Sequence, residues 1–202
     1  MVHELLSRLE KMGIFGKSVL VMAPTGKAAL QAGGYTLKSR DGLSISVSEE
    51  FLGEKLTGNG LLRLHKRCEN IAAVIIDEYS MVAGAILSQV DSRLQQGFMN
   101  DKPFGGIPIA ICGDPGQLPP VIGLSMWVNR TSKGVQISGL ALKGYHLYRS
   151  ISNVMKLSDV LRQDGEFMEV LLRLRDGKIT HEDWEFVQNH CAEQNMTEER
   201  RN

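Results

Sequence analysis

The sequence lacks the features that mark several common classes of protein. Its 202 residues include 3 cysteines without C-x-x-C spacing and 5 histidines without an H-x-x-x-H pair. This pattern indicates neither a zinc centre nor a disulfide scaffold, and it favours free thiols in a reducing compartment. No apolar run approaches the length of a membrane span, and the first residues do not read as a secretory signal. We therefore expect an intracellular protein that does not use a membrane.

An excess of charge of either sign is also missing. Lys plus Arg and Asp plus Glu both total 23, so the formal net charge is zero. This balance argues against a histone-like protein or one that binds nucleic acid through a charged tail. It is compatible with a local groove for single strands, because a few placed cations and stacking surfaces suffice there. Apolar residues make up 43% of the chain, which is enough for a sizeable core.

A phosphate-binding loop of the G-x-x-x-x-G-K-[ST] type is missing as well. Gly16-Lys17-Ser18 ends in suitable residues, but Lys11 stands where the first glycine is required, and a strand follows instead of a helix. Thr25-Gly26-Lys27 does open a helix, but Val21 occupies its first glycine position and Ala28 has no hydroxyl for magnesium. Neither segment matches the loop whose amides hold nucleotide phosphates.

Short strands alternate with helices along most of the chain. Strands are predicted at 18–23, 71–77 and 107–112, with a further candidate at 43–47. Helices are predicted around 5–12, from 25 to the Gly33-Gly34 pair, around 61–64, and at 82–96 and 140–148. This alternation with short connections predicts an α/β protein with a parallel sheet and helices on both faces.

The pattern changes after about residue 150, where we place a domain boundary between 1–150 and 151–202. Val154 to Leu157 are a candidate strand, and 164–175 have the periodicity of an amphipathic helix. Thr180 and Asp183 have the spacing of a capping box at the start of a final helix.

Two apolar runs end abruptly in acidic residues. Val74-Ile75-Ile76 leads into Asp77-Glu78, and the run at 109–112 leads into Gly113-Asp114. Buried strands of a parallel sheet have this pattern when they deliver carboxylates to the carboxyl edge, where ligands bind. Two adjacent acids suit nucleotide hydrolysis, because one can hold magnesium and the other can activate water. Gln117 adds an amide that can sense a terminal phosphate.

These segments together resemble motor domain 1A of the PIF-type, RecD-like superfamily 1 DNA helicases. The resemblance spans roughly 18–187. It rests on a motif Ia (Ala23–Ala29 with Gly33–Leu37), a motif II (Asp77–Met81), a motif III (Phe104-Gly105-Gly106 leading into Gly113–Val121) and a motif IV region (Leu161-Arg162-Gln163).

The resemblance implies a RecA-like sheet of the P-loop NTPase type, incomplete at its N-terminus, with ATP and Mg²⁺ as cofactors. Residues 1–150 would form a partial motor domain 1A, and 151–202 would lead into the second motor domain. Asp77 would hold magnesium and Glu78 would activate water. Gln117 would link the phosphate state to DNA grip, and Arg162 would reach the γ-phosphate.

The resemblance also implies partners and a setting. Thr25, Lys27, Thr36 and Lys38 would contact single-stranded DNA, with duplex junctions as a further partner. Unwinding would run 5′ to 3′, with roles in DNA repair, recombination and telomere maintenance. The compartment would be the nucleus or mitochondrion in a eukaryote, or the cytoplasm in a bacterium.

Departures from the family pattern leave alternatives open. The family's Walker A loop would lie immediately upstream of Met1, and Lys38 stands where the family commonly has histidine. We prefer a fragment or truncated product of an ATP-dependent DNA helicase, expected to be inactive by itself. The alternative is a non-catalytic remnant, degenerate or transposon-derived, that at most binds single-stranded DNA or a partner. An unrelated phosphate-loop NTPase is a third option, which the motif Ia and Gln117–Pro120 matches disfavour.

Overall fold

A computed structural model describes the chain at 11, 18–39, 43, 45, 54–131, 133–134, 136–137, 139–157 and 165–195, with the side chains of 190–195 left out. It contains two compact units, Met1–Asn153 and Val154–Asn202. Of the helix expected near 5–12 only Lys11 is described, and of the candidate strand at 43–47 only Leu43 and Ile45; the other residues of both predictions lie outside the described residues. That the two units are motor domain 1A and the start of a second motor domain stays a prediction.

A four-stranded sheet organises the first unit. Its strands are β1 (Ser18–Ala23), β2 (Tyr35–Thr36), β3 (Ile71–Ile76) and β4 (Ile109–Ile111). They lie in the order β2-β1-β3-β4, and every neighbouring pair is parallel. The predicted α/β class with a parallel sheet is therefore confirmed, and β4 is shorter than the sequence pattern indicated.

Helices surround this sheet and form most of the second unit. The first unit contains α1 (Gly26–Ala32), α2 (Gly58–Cys68), α3 (Gly84–Phe98) and α4 (Gly139–Ser150). The second unit contains α5 (Gly165–Arg175) and α6 (His181–Asn195). None of the helices in the described part of the chain has the length and apolar character needed to cross a membrane.

Alternating side chains of the central strands bury both faces of the sheet. Leu20 and Met22 of β1 join the main core, which also contains Leu64 of α2 and Leu87 of α3. Ala23 points to the opposite face, because successive side chains of a strand alternate, and it packs there against two alanines of α1. Helices therefore cover both faces, as predicted.

The helical layer of the main core depends on one fully buried acid. Asp91 of α3 accepts a hydrogen bond from the backbone N–H of Phe104 at 2.7 Å and pairs with Lys143 of α4 at 2.8 Å. The helices approach closely where Gly84 faces Gly144, since a Cβ on Gly144 would overlap the Gly84 carbonyl. The first part of motif III, Phe104-Gly105-Gly106, therefore has a structural role. Phe104 and Gly105 form a left-handed turn, and the hydrogen bond to Asp91 holds that turn against α3.

The second unit corrects one prediction and confirms another. Val154 to Leu157 form no strand; the side chains of Val154 and Leu157 are 86% and 89% exposed, so their apolar pattern reflects no buried face. The Thr180–Asp183 capping box is confirmed. The Asp183 N–H donates to the Thr180 hydroxyl at 3.1 Å, and the Thr180 N–H donates to the Asp183 carboxylate at 2.9 Å. Arg173 binds the same carboxylate through a contact of 2.6 Å.

Candidate functional site

The carboxyl ends of the strands lie level with one another, which places the predicted motifs at one edge. The N–H of Asp77 donates to Met22 at 2.8 Å, and the N–H of Cys112 donates to Ile76 at the same distance. Thr36 lies opposite Ala23 in the β1–β2 register. The residues that follow β1, β2, β3 and β4 therefore meet along this edge, as the position of ligand sites in parallel sheets requires.

The backbone turns sharply at the second acid of motif II. Glu78 has φ 53° and ψ 47°, a left-handed conformation that is unfavourable for a residue with a side chain. The next residue, Tyr79, donates its N–H to the Cys112 carbonyl at 3.0 Å. Gly113 makes this approach possible, because a Cβ there would lie 2.9 Å from the Tyr79 nitrogen. The glycine of motif III therefore serves the geometry of motif II.

The two acids of motif II are half-buried and uncommitted. Within the described part of the chain, neither the Asp77 nor the Glu78 carboxylate accepts a hydrogen bond or forms an ion pair. Burial raises the pKa of the neighbouring Cys112 thiol, and the Asp77 carboxylate raises it further. The Asp77 charge is thus felt at the end of β4. Half-buried carboxylates without partners are costly unless a ligand uses them.

The loop after β4 presents Gln117 from a compact turn. The Asp114 carboxylate accepts the N–H of Gly116 at 2.9 Å, and the Asp114 carbonyl accepts the N–H of Gln117 at 3.0 Å. Asp114 is therefore occupied in shaping the turn. The Gln117 side chain remains exposed.

The motif Ia residues have clear structural duties. Thr25 caps α1, its hydroxyl accepting the N–H of Ala28 at 3.2 Å, which leaves the hydroxyl proton available to a ligand. Gly33 ends α1 in the left-handed conformation. Gly34 has no room for a side chain, since its Cβ would overlap the backbone of Val21. This glycine pair brings Thr36 back beside β1.

A cleft of about 240 Å³ joins motif Ia to motifs II and III. It brings together four of the predicted site residues, namely Thr25, Lys27, Glu78 and Gln117. Asp77, Thr36 and Lys38 do not line it, although Asp77 adjoins Glu78 and Lys38 is exposed beyond β2. Arg162 lies outside the described residues.

Sequence reasoning missed several residues of this cleft. Gln31 lies four residues after Lys27 on α1, so the helical repeat places both on one face. Leu118 contributes an apolar side chain that is 70% exposed. Ser80 also lines the cleft; its hydroxyl is fully buried and has no hydrogen-bond partner in the described structure. The spacing from Lys27 was the available signal for Gln31. Ser80 lies within motif II, but its residue type alone did not distinguish it as a site residue.

An aromatic cluster fixes Tyr79 behind the acids. Its ring lies 5.9 Å from that of Trp127 in an edge-to-face arrangement and 6.3 Å from that of Tyr148 of α4. Burial raises the pKa of Tyr79 to about 12, with further contributions from Tyr148. The cluster holds the segment after Glu78 to the helical layer. Its members are far apart in sequence, which is why the sequence pattern did not reveal it.

The donor set at the edge fits a magnesium–nucleotide complex. Asp77 and Glu78 offer carboxylate oxygen atoms without partners among the described residues, and oxygen is the ligand that magnesium prefers. No group of three or more His, Cys, Asp or Glu side chains in the described ranges forms a metal cluster. A site with one or two carboxylates suits magnesium, since phosphate and water oxygens complete its coordination.

Comparison with known proteins gives consistent matches. The family model described as "PIF1-like helicase" matches residues 1–185. The ATP-dependent DNA helicase PIF1 of Saccharomyces cerevisiae is 35% identical over 175 residues, covering 84% of this chain and 19% of the relative. The ATP-dependent DNA helicase Pif1 of Bdellovibrio bacteriovorus is 31% identical, covering 88% and 38%. The chain thus spans well under half the length of these relatives.

Solved structures agree in fold. The Pif1 helicase of Candida albicans matches with a TM-score of 0.62 and 30% identity over 89% of this chain and 38% of that chain. A Bacteroides Pif1 bound to single-stranded DNA matches with a TM-score of 0.60 and 27% identity, over 91% and 42%. These matches confirm the RecA-like sheet, and the chain belongs to the PIF1-like helicase family.

Proposed function

We propose that this chain carries the nucleotide-hydrolysing and DNA-gripping residues of an ATP-dependent DNA helicase. The observation that carries the proposal is the pair of half-buried carboxylates of Asp77 and Glu78 at the carboxyl edge, which have no partner among the residues that the structure describes. Glu78 shares a cleft with Thr25 and Lys27 of the first helix. The residue proposed to activate water and the residues proposed to bind DNA therefore line the same cleft. This proximity supports a coupling between ATP hydrolysis and DNA binding.

The positions of Asp77, Glu78 and Gln117 support a task for each of them, whereas the task of Arg162 rests on the family resemblance alone. Asp77 would hold the magnesium ion of bound ATP, which neutralises charge on the phosphates. Glu78 would accept a proton from the attacking water, and its uncommitted carboxylate is suited to this. Gln117, exposed in the same cleft, would respond to the terminal phosphate. Arg162 would stabilise charge in phosphoryl transfer, as an arginine does in related motors.

DNA would lie along the motif Ia edge, where Lys27 and Lys38 are exposed cations. Thr25 and Thr36 would donate their hydroxyl protons to phosphate oxygens. The direction of unwinding from 5′ to 3′, the preference for junctions, and roles in repair, recombination and telomere maintenance follow from family resemblance and belong to this proposal. So do the compartments expected for eukaryotic or bacterial members.

The proposal is tested in a chimera in which residues 1–202 replace the matching segment of the Bacteroides Pif1. Glu78→Gln should lower DNA-stimulated ATP turnover by about 100-fold or more while nucleotide binding persists. Asp77→Asn should raise the magnesium concentration needed for turnover. The control is Asp101→Asn, which removes an exposed acid far from the edge in sequence and should leave turnover unchanged.

The outcomes separate the candidate functions. Near-normal turnover in both motif II variants would refute the assignment of Asp77 and Glu78. A folded chimera that binds DNA but hydrolyses no ATP would support the non-catalytic alternative instead.

A further inference from the structure

One side of α2 carries three cations, of which Arg63 and Lys66 are exposed and Arg67 is partly buried. Arg63, Lys66 and Arg67 follow one another at spacings of three and four residues, which places them side by side. Leu64 and Cys68 of the same helix are buried in the core. Arg63 and Lys66 lie on the outward side, whereas Arg67 lies at the border of the buried face. Motif Ia, II and III residues do not include any of them.

The cationic face continues onto the outer strand of the sheet. The guanidinium of Arg67 lies over the ring of Tyr35 in β2, 4.7 Å from its centroid. Tyr35 is 43% exposed and directly precedes Thr36, a predicted DNA contact. An arginine stacked on a partly open aromatic ring combines a charge for phosphate with a surface on which a base can stack. We call Tyr35, Arg63, Lys66 and Arg67 the α2 basic surface.

The charges of this surface are not neutralised by the protein parts that the structure describes. None of the ion pairs among the described residues involves Arg63, Lys66 or Arg67. Glu69 is the only acidic residue between Lys55 and Asp77. In a chain of zero net charge, a local excess of this kind points to an anionic partner.

We infer that the α2 basic surface, which shares Tyr35 with motif Ia, binds the DNA strand where it continues from the motif Ia edge onto α2. The strand passes from Lys27 and Thr36 to Tyr35, which stacks with a base, and on to Arg63 and Lys66, which bind phosphates. This extends the number of nucleotides held by one motor domain without adding sequence preference, because stacking and phosphate contacts are tolerant of sequence. The inference rests on the proposed function, since it extends the same DNA path.

The test uses the 202-residue chain and two labelled oligonucleotides, one of about 6 and one of about 20 nucleotides. The double variant Arg63→Gln/Lys66→Gln should bind the longer strand severalfold more weakly. It should also lower the dependence of log affinity on log salt by about 1.4 units, or about 0.7 per lost contact. Binding of the short strand should not change. Lys102→Gln/Arg149→Gln removes two exposed cations outside this surface and serves as the matched control.

Tyr35 variants test the stacking step separately from charge. Tyr35→Leu should weaken binding of the longer strand about fivefold, whereas Tyr35→Phe keeps the ring and should bind like the unaltered chain. Thermal unfolding of each variant checks that the fold persists.

The results distinguish this inference from the proposed function. If Lys27→Gln weakens binding while the α2 double variant matches its control, the inference that the α2 basic surface binds DNA is wrong, and the proposed DNA contact at motif Ia is supported. If the α2 variant weakens binding while Lys27→Gln has no effect, DNA binding by the α2 basic surface is supported, and the proposed Lys27 contact is wrong. If the unaltered chain fails to bind the longer strand, both are wrong.

Discussion

Two acids of the helical layers and the two acids of motif II at the sheet edge have opposite environments. Asp91 is fully buried and fully used, by the N–H of Phe104 and by Lys143. Asp183 is likewise held by Arg173 and by the Thr180 N–H. Asp77 and Glu78 are half-buried, yet their carboxylates contact no partner in the described ranges. A paired acid stabilises a fold, whereas an acid kept without a partner is available to a ligand.

Backbone conformation follows the same division. Glu78 and Met99 both have left-handed φ values, 53° and 50°. Met99 ends α3 and is 80% exposed, so its conformation is an ordinary helix stop in which glycine would serve equally. Glu78 keeps a side chain in a conformation that glycine adopts more easily. Strain kept where chemistry is predicted is typical of functional sites.

The largest effect should come from breaking the ion pair that holds the buried acid of the helical layer. Lys143→Met leaves the fully buried Asp91 carboxylate without its cation. Because the Lys143 side chain is itself 43% exposed and solvent screens the pair, we expect the free energy of unfolding to fall by about 2 kcal/mol. Asp91→Asn/Lys143→Met, which removes both charges, should recover part of this loss. Urea unfolding of the 202-residue chain measures each variant.

Lys102→Met is the matched control, because Lys102 is exposed and outside the pair; it should change stability by no more than about 0.5 kcal/mol. If the Lys143→Met protein is as stable as this control, the Asp91–Lys143 ion pair does not stabilise the fold.

The sequence pattern correctly predicted those structural features that depend only on residues close together in the chain. The strand before Asp77 could be predicted because six apolar residues precede the acid, and the Thr180–Asp183 capping box because its spacing is local. Asp91 was not readable, since its partners Phe104 and Lys143 lie far along the chain. Val154 to Leu157 misled because apolar residues can be exposed as well as buried.

The same limit applied to the candidate site: residues within motifs were predicted, whereas contacts between distant parts of the chain were not. Glu78 and Gln117 were found from their motifs, and the structure places both in one cleft with Lys27. Position 113 requires glycine because Tyr79, which follows another strand, approaches it closely. Gly113 belongs to motif III and Tyr79 to motif II, so neither motif alone reveals this requirement. The aromatic support of Tyr79 required Trp127 and Tyr148 to meet in space.

A smaller effect, of opposite sign, is expected at the sheet edge. Glu78→Gly relieves the left-handed strain and should raise the free energy of unfolding by about 0.5–1 kcal/mol, after the extra entropy of an unfolded glycine is counted. Met99→Gly should raise stability similarly. In the Bacteroides chimera, only Glu78→Gly should abolish ATP turnover. Unchanged or lower stability of Glu78→Gly in urea unfolding would mean that the backbone at this acid stores no strain.

The smallest effect concerns the paired acid of the second unit and depends on pH. The hydrogen bonds from Arg173, and then from the Thr180 N–H, hold the pKa of Asp183 well below its ordinary value of 3.8. A carboxyl whose pKa is lower in the folded than in the unfolded state stabilises the fold above the unfolded pKa. That stabilisation is lost as the pH falls below about 4, when protons bind the unfolded chain first.

Trp184 lies next to Asp183 on α6 and is the only tryptophan of this unit, so its fluorescence reports the unfolding of α5 and α6. In a Trp127→Phe background, the midpoint of thermal unfolding should fall by a few degrees between about pH 6 and pH 3. Asp183→Asn should start from a lower midpoint and lose less of it over this range. Asp176→Asn, which removes a half-exposed acid paired with Arg175, should follow the unaltered chain. Parallel pH profiles for Asp183→Asn and the unaltered chain would show that this paired carboxylate contributes no pH-dependent stability, and that pairing alone does not separate structural acids from those at the edge.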